Sequence, residues 1–474
     1  MTLNRMTLVE AAEAVSTGQT TAVALLQACL AAMDADDGTV NAVISVDRDG
    51  ALAAAEAADA AVAAGKPLGP LHGVPLAHKD MYYRAGKVST CGSAIRRDWT
   101  ASRTATVLDR LDAAGSVTFA GLNMAEFAQN PTGHNRHYGD CCNPWNPPYI
   151  TGGSSSGSGA AVAARFAFGA LGSDTGGSIR LPASACGVVG LKPTQTRISR
   201  AGVMPLSFSM DNVGPLTRTV QDCARIMGVI AGADPADPTC AAEPVPDYEA
   251  ALTGDLAGLR VGLVTNPGLM GTDPAVVDAV AAAMAVLAGR GAAVAPVGLP
   301  HMDAVSAYVG VVSRCEGAAI HAQWMRERPG DYAVHLSARL YAGYAIPATY
   351  YIEALSGRGP LLRAFAADVF EHFDVLALPT IPTVLPTLAD TDIDHGPPGT
   401  EARFMAVSAN TRPFNYLGLP AISVPCGLDP NGCPIGLQLV GRPFGEARVM
   451  WAADAYQRDT DWHRRMPAGI ARSC

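Results

Sequence analysis

Between residues 150 and 183 the chain reads ITGGSSSGSGAAVAARFAFGALGSDTGGSIRLPA, with six serines, eight glycines and no histidine. Such a run is a linker, a phosphate cradle or a catalytic site, and its flanks bear on the choice. A phosphate-binding P-loop needs a lysine directly after its glycines, and none is present. A dinucleotide loop needs a strand in front of it, but the preceding NPWNPPYIT carries prolines that exclude a regular strand. Gly153-Ser154-Ser155-Ser156-Gly157 matches the G-x-S-x-G elbow with Ser155 as its nucleophile, yet that elbow also needs a strand before it. The third chemistry is hydroxyl attack on a carbonyl with a lysine as base, because an unaided serine is a poor nucleophile.

Lys79 suits that task. It follows Val74, Leu76 and Ala77 on a short apolar run in GVPLAHKD, and burial there would strip its hydration and lower its pKa. An ion pair with the adjacent Asp80 is the alternative use of the same lysine. The turn GSDTGGSIR supplies the other requirement. Consecutive amides at Thr175, Gly176, Gly177 and Ser178 are able to converge on a developing oxyanion, where the loss of one donor costs about 2.7–4 kcal/mol. Asp174 and Arg180 flank the turn and are placed to hold it as an ion pair. An ordinary glycine turn with a surface ion pair is the plainer reading.

The elements around these residues follow a helix-strand rhythm. Residues 1–65 are alanine-rich and helical, apart from a short strand-like run at AVISV. LHGVPLAHKD reads as a strand entering a loop, and TATVLDRLDAAGSVTFAGLN as helix, turn and strand. The rhythm recurs over residues 260–297, with Asp273 as N-cap and Pro274 in the first turn. DVLALPTIP and AISVPCG read as buried strands. Residues 300–375 are mostly helical and hold six tyrosines, residues 386–402 read as a loop, and the Pro/Asp-rich stretch 230–249 as a linker. The pattern predicts an α/β fold, a mixed, mainly parallel sheet covered by helices on both faces.

With 474 residues, 49% hydrophobic and 16% charged, the chain is long enough for a large core. A net charge of -9 and the lack of a basic stripe argue against nucleic-acid binding. No basic start precedes an apolar run, and no stretch of about 18 apolar residues occurs, so neither a signal peptide nor a membrane span is expected. Eleven cysteines without C-x-x-C spacing read as reduced thiols of a cytoplasmic protein, and no metal motif is present.

Taken together, GVPLAHKD, GGSSSGSGAAVAA and GSDTGGSIRLPA resemble the amidase signature family. The likeness continues through CGVVGLKPT, DNVGPLTRTVQD, NYLGLPAISVPCG and GLQLVGRPF, and covers nearly the whole chain. It implies one amidase domain over residues 1–474, with N-terminal helices to about 65, a catalytic core over about 66–225 and pocket helices over about 300–375. It implies Ser178 as nucleophile, Ser154 as bridging serine after a cis Gly153-Ser154 bond, and Lys79 as base. The oxyanion donors fall on the amides of Thr175, Gly176, Gly177 and Ser178. Ser155, Asp174 and Arg180 fall on supporting positions, and Ala128 on one whose backbone approaches substrate. Ser156 replaces a glycine of the family's usual run, and His78 stands where an apolar residue is common.

The resemblance implies hydrolysis of an amide through an acyl-enzyme, with no metal or organic cofactor. The favoured expectation is a stand-alone enzyme on a small-molecule amide, aryl or apolar given the tyrosine-rich helices, with no nucleic-acid or membrane partner and a homodimer as its assembly. The alternative is the glutamine-hydrolysing A subunit of a tRNA-dependent amidotransferase.

Overall fold

The computed structural model describes residues 3–469 other than 267 and 272. Eleven strands form one sheet: β1 (Val43–Val46), β2 (Pro75–Lys79), β3 (Val117–Leu122), β4 (Gly169–Asp174), β5 (Val189–Lys192), β6 (Asn212–Thr217), β7 (Arg260–Val264), β8 (Ala293–Val297), β9 (Val375–Pro379), β10 (Ala421–Leu428) and β11 (Pro434–Gly441). Their order is β1-β3-β2-β4-β6-β5-β10-β11-β9-β7-β8. The sheet is mixed. The pairs β2–β3, β2–β4, β7–β8 and β7–β9 are parallel, and antiparallel pairs fill the centre and join β1 at one edge. Every residue of β2 and β4 is buried, so helices and loops cover both faces there, because successive side chains of a strand point to opposite faces.

Local chemistry explains the helix starts. Thr7 and Glu10 form a capping box ahead of Leu8–Ser16, and Thr219 and Asp222 do the same ahead of Val220–Ile230. Pro274 opens the helix Pro274–Gly289, as expected, with Asp273 at the N-cap position. The Asp273 side chain, however, does not cap; it accepts the Val384 amide at 2.9 Å and ties a distant loop to this helix start.

Three stretches differ from their reading. Residues 386–402 hold the short helix Leu388–Thr391, capped by Thr387 and Asp390, and the start of Thr400–Ala406. The stretch 230–249 is fastened to the core, since Asp234 accepts Thr106 Oγ1 at 2.7 Å and Asp237 accepts the Arg200 amide at 2.8 Å. The first residues of GSDTGGSIR belong to β4, which runs on to Asp174 before the turn begins. Among the described residues no helix is long and apolar enough to cross a membrane.

The topology already places a site. β2 and β4 are parallel neighbours, with Leu76 beside Gly169 and His78 beside Leu171. Their carboxyl ends therefore emerge side by side, and in open α/β sheets ligands bind outside such ends. Lys79 is the last residue of β2, and Asp174 the last of β4.

Candidate active site

Lys79 reaches across from β2 to two hydroxyls. Its Nζ lies 2.7 Å from Ser154 Oγ and 2.9 Å from Ser173 Oγ. The hydroxyl of Ser173 in turn donates to Met81 Sδ at 3.1 Å, so its oxygen faces the amine as an acceptor. Burial strips water from Lys79 and lowers its pKa from 10.5 to about 7, against the opposing pull of the Asp211 and Asp174 carboxylates. The lysine is thus poised to be neutral near pH 7. A neutral amine that donates one proton to Ser173 keeps its lone pair free for the Ser154 hydroxyl.

The alternative partner for Lys79 is otherwise occupied. Asp80 accepts the Thr90 amide at 2.9 Å and the Thr90 hydroxyl, and no described ion pair contains Lys79. His78 faces the other way, as strand alternation dictates. It lines a separate hollow with Asp80 and Tyr82, and burial lowers its pKa to about 4.

Ser154 follows a cis Gly153-Ser154 bond. The segment is held at both ends. The Gly153 amide donates to Pro131 O at 2.7 Å, and Ser154 O accepts from the Ala125 amide at 3.1 Å. Ser155 links the two serine segments, its amide donating to Ser178 O at 3.3 Å and its hydroxyl to Ser173 O at 3.2 Å. Ser156 begins the helix Ser156–Ala163 and is fully buried there. Ser178 retains 9% of its surface, against 0% for Lys79, Ser154 and Ser155, so it is the serine of this group that meets the cavity.

The turn that carries Ser178 is braced from below. Asp174 and Arg180 form a fully buried ion pair, with 2.9 Å between Arg180 Nη2 and Asp174 Oδ1 and 3.0 Å between Arg180 Nε and Asp174 Oδ2. Burial alone would raise the Asp174 carboxyl, but the Arg180 guanidinium holds it far below the usual carboxylate range. Arg180 also donates to Gln438 Oε1 at 2.7 Å and Asn415 Oδ1 at 2.6 Å, so β11 and the helix Arg412–Tyr416 share the brace.

Gly177 has φ of 129°, and a Cβ on it would lie 2.2 Å from Thr411 Oγ1, so both backbone angle and space require glycine. In this geometry the Gly177 amide points back and donates to Asp174 Oδ1 at 2.8 Å. Of the four amides expected to face an oxyanion, that one is therefore committed to the carboxylate. The amides of Thr175, Gly176 and Ser178 have no protein acceptor among the described hydrogen bonds.

A cavity of about 60 Å³ opens beside Ser178, Thr175 and Gly176. Ala128 lines it in a left-handed conformation with φ of 63°, next to Phe127 at 46°. The six tyrosines of residues 300–375 do not line it. Tyr308, Tyr332 and Tyr351 bond to Glu353, His321 and Glu316, while Tyr341, Tyr344 and Tyr350 are largely exposed. An aryl pocket built from them is not what the fold makes. Arg339 and Arg412 stand in the cavity wall instead. Sequence reading passed over both, and passed over Ser173, because an arginine on a helix far along the chain is ordinarily solvated and Ser173 sat within what looked like a turn. Among the described residues no group of three or more His, Cys, Asp or Glu is placed to hold a metal.

Ser173→Ala is expected to lower kcat by about tenfold, the effect of one lost hydrogen bond worth about 1.4 kcal/mol. The hydroxyl favours the charged amine more than the neutral one, so its loss also moves the acid limb of the pH profile down. An unmoved limb would make Ser173 a packing residue only.

The family model described as Amidase matches residues 24–450. The A subunit of glutamyl-tRNA(Gln) amidotransferase from Roseiflexus sp. (strain RS-1) is 42% identical, covering 98% of each chain. A solved structure described as a vestigial protein complex, which reveals the evolutionary origins of an s-triazine catabolic enzyme, superposes with a TM-score of 0.90 at 35% identity, covering 96% of this chain and 98% of that one. A 6-aminohexanoate cyclic dimer hydrolase with bound substrate superposes with a TM-score of 0.89 at 27% identity, covering 98% and 99%.

These relatives correct one expectation. Sequence reading favoured a small-molecule amidase with no nucleic-acid partner and a homodimer as its assembly. The relatives at 39–42% identity are instead named as one subunit of an amidotransferase of glutamyl-tRNA(Gln). The physical reason lies in what was read. Active-site motifs report the chemistry on the substrate, and assembly partners are chosen by surface residues that carry no such spacing.

Proposed function

Because the chain belongs to the amidase signature family, whose members cleave amide C–N bonds, we propose that it is the ammonia-releasing component of an amidotransferase-type assembly in the cytoplasm, with the side-chain amide of glutamine as its first candidate donor. The observation that supports the chemistry most directly is the Lys79 Nζ–Ser154 Oγ contact of 2.7 Å, with the amine pKa pulled to about 7. Identity of 42% across 98% of a relative named as the A subunit of such an enzyme supports the assembly.

Neutral Lys79 takes the Ser154 proton while Ser154 takes that of Ser178, whose Oγ bonds to the amide carbon. The carbonyl oxygen becomes an anion received by the free amides of the Thr175–Ser178 turn. The relay then returns the proton to the leaving nitrogen, the C–N bond breaks, and ammonia departs. Water attacks the resulting ester through the same relay, giving the acid and restoring Ser178.

Capture of this chain from its native cells is expected to bring further subunits with it, and the captured assembly to convert glutamyl-tRNA(Gln) in the presence of glutamine. An assembly that hydrolyses amides but leaves glutamyl-tRNA(Gln) unchanged would contradict the amidotransferase part and leave the acyl-enzyme part standing.

A further inference from the structure

Asp211 opens the run DNVGP, and strand register sets it beside the Ser178 turn. β4 and β6 are antiparallel, with Asp174 opposite Asn212 as their last pair. The next residues out, Thr175 and Asp211, therefore face each other where the ladder ends. Thr175 Oγ1 donates to Asp211 Oδ1 at 2.5 Å, and both residues are buried. Asp211 does not line the cavity beside Ser178; it borders a separate hollow with Ser173 and Met81.

The turn needs such a tie at one place. The peptide joining Asp174 to Thr175 is pinned, because the Asp174 carbonyl accepts Asn212 Nδ2 at 3.2 Å and Asn415 Nδ2 at 3.1 Å. That peptide is trans, so the Thr175 amide lies on its opposite edge. The peptide joining Gly176 to Gly177 is pinned as well. Its carbonyl accepts Thr411 Oγ1 at 2.6 Å, and its amide donates to Asp174 Oδ1 at 2.8 Å. The peptide between these two carries the Gly176 amide, and neither its carbonyl nor its amide takes part in a described hydrogen bond. The glycine on its far side adds no stiffness. What anchors it is the Thr175 side chain, and what anchors that side chain is Asp211.

Asp211 is itself firmly held. Its Oδ2 accepts the Leu206 amide at 2.8 Å, and the Ser207 amide donates to both of its oxygens, at 3.1 and 3.0 Å. From the other side Glu316, on the helix Met302–Ile320, accepts Ser207 Oγ, the Ser209 amide at 3.1 Å and Tyr351 Oη at 3.0 Å. Neither carboxylate joins a described ion pair, so hydrogen bonds alone replace their lost water. The segment 206–211 is thus clamped between two buried acids, one of which reaches the turn.

We infer that Asp211 is a positioning residue, which through the Thr175 hydroxyl aims the Gly176 amide at the oxyanion formed when Ser178 attacks. The inference rests on the acyl-enzyme reading at Ser178 and names what holds its oxyanion donors in place. Such donors act only if they are aimed before the charge appears. The acid has a second consequence. Its charge favours the protonated form of Lys79 more than that of Asp174 does, while Arg200 is the cation that acts on Asp211 itself and Glu316 lies across Ser207 from it.

The test measures phosphonylation of Ser178 in the full chain by a fluorophosphonate, whose P–O⁻ charge develops where the acyl oxyanion would. Thr175→Val, which keeps the shape and removes the hydroxyl, is expected to lower the maximal labelling rate at least tenfold, with the half-saturating reagent concentration within twofold of wild type. Thr175→Ser, which keeps the hydroxyl, is expected to restore the rate to within threefold. Asp211→Asn should lose as much as Thr175→Val, and the double variant no more than the worse single one, because both cut the same tie. Asp211→Asn should also move the acid limb of the labelling rate to lower pH, since an anion near Lys79 is gone, whereas Thr175→Val leaves that limb unmoved. If Asp211→Asn does not fold, the two Thr175 variants decide. A Thr175→Val rate within twofold of wild type, or losses that multiply in the double variant, would overturn the positioning role. Absence of label from Ser178 in the wild-type chain would instead overturn the acyl-enzyme reading, so the two failures are distinct.

Discussion

Ser178→Ala is expected to lower amide turnover by about 10⁴–10⁶-fold, the range seen when a serine nucleophile acting within a relay is removed. The protein should stay folded. Ser178 lines the cavity, and its hydroxyl takes part in no described hydrogen bond. The brace beneath it, Asp174 with Arg180 and Asn415, does not involve the Ser178 side chain. A thermal melt within a few degrees of wild type, together with lost turnover measured as ammonia release, is the expected pair of results. Retained turnover would move the nucleophile to another hydroxyl, and Ser155, the elbow position of the G-x-S-x-G match, is fully buried with its hydroxyl on Ser173 O.

Lys79 gives the second large effect. Its amine must be neutral to accept a proton, and its pKa stands near 7 in the fold. Activity is therefore expected to be full above about pH 8 and to fall as pH drops through about 7, because protonation occupies the lone pair. Lys79→Ala should cost about 10²–10⁴-fold on amides and less on esters, since an amine must be protonated as it leaves and an alkoxide needs less help. The same group has a stability signature that runs in the same direction with pH, at the higher pH values between its folded and unfolded pKa. The unfolded lysine titrates near 10.5 and the folded one near 7, so between these values the unfolded state binds more protons. Stability thus rises with pH across that window, and the burden of the buried amine is fully present below it. Lys79→Met, which removes the charge and keeps the bulk, is expected to raise Tm at pH 7 while abolishing turnover. A lowered Tm with a pH-independent rate in the wild type would contradict both halves.

Much of this site is legible in the sequence, for physical reasons that apply residue by residue. Lys79 stands out because a lysine closing an apolar strand has few uses. Ser154, Ser178 and the Thr175–Ser178 turn stand out because glycine and serine at that density need a reason to sit amid buried helix and strand. The strands β2, β3, β7, β9 and β10 follow from apolar runs ended by Pro, Gly or a polar loop. Others hide. β6 contains Gly214 and Pro215, which read as breakers, yet Gly214 is there because a Cβ would lie 2.2 Å from Leu191 O of the neighbouring strand. Arg339 and Arg412 are invisible for a different reason: only the folding of two distant helices onto the Ser178 turn makes them face one cavity. The tyrosine-rich helices suggested a pocket for an aryl or apolar group, and long-range packing placed two arginines in the cavity wall instead. The Thr387 and Asp390 spacing did carry a capping box, but a helix of four residues has too little period to be seen beside its prolines.

Identification of the residue that carries the acyl group tests the central claim most directly. The full chain, treated with a fluorophosphonate and digested, is mapped by mass spectrometry. The account predicts one phosphonylated serine, Ser178, with labelling abolished in Ser178→Ala and slowed in Ser154→Ala and Lys79→Ala. A label on any other residue, or labelling of Ser178 at a rate indifferent to Lys79 and Ser154, would contradict it.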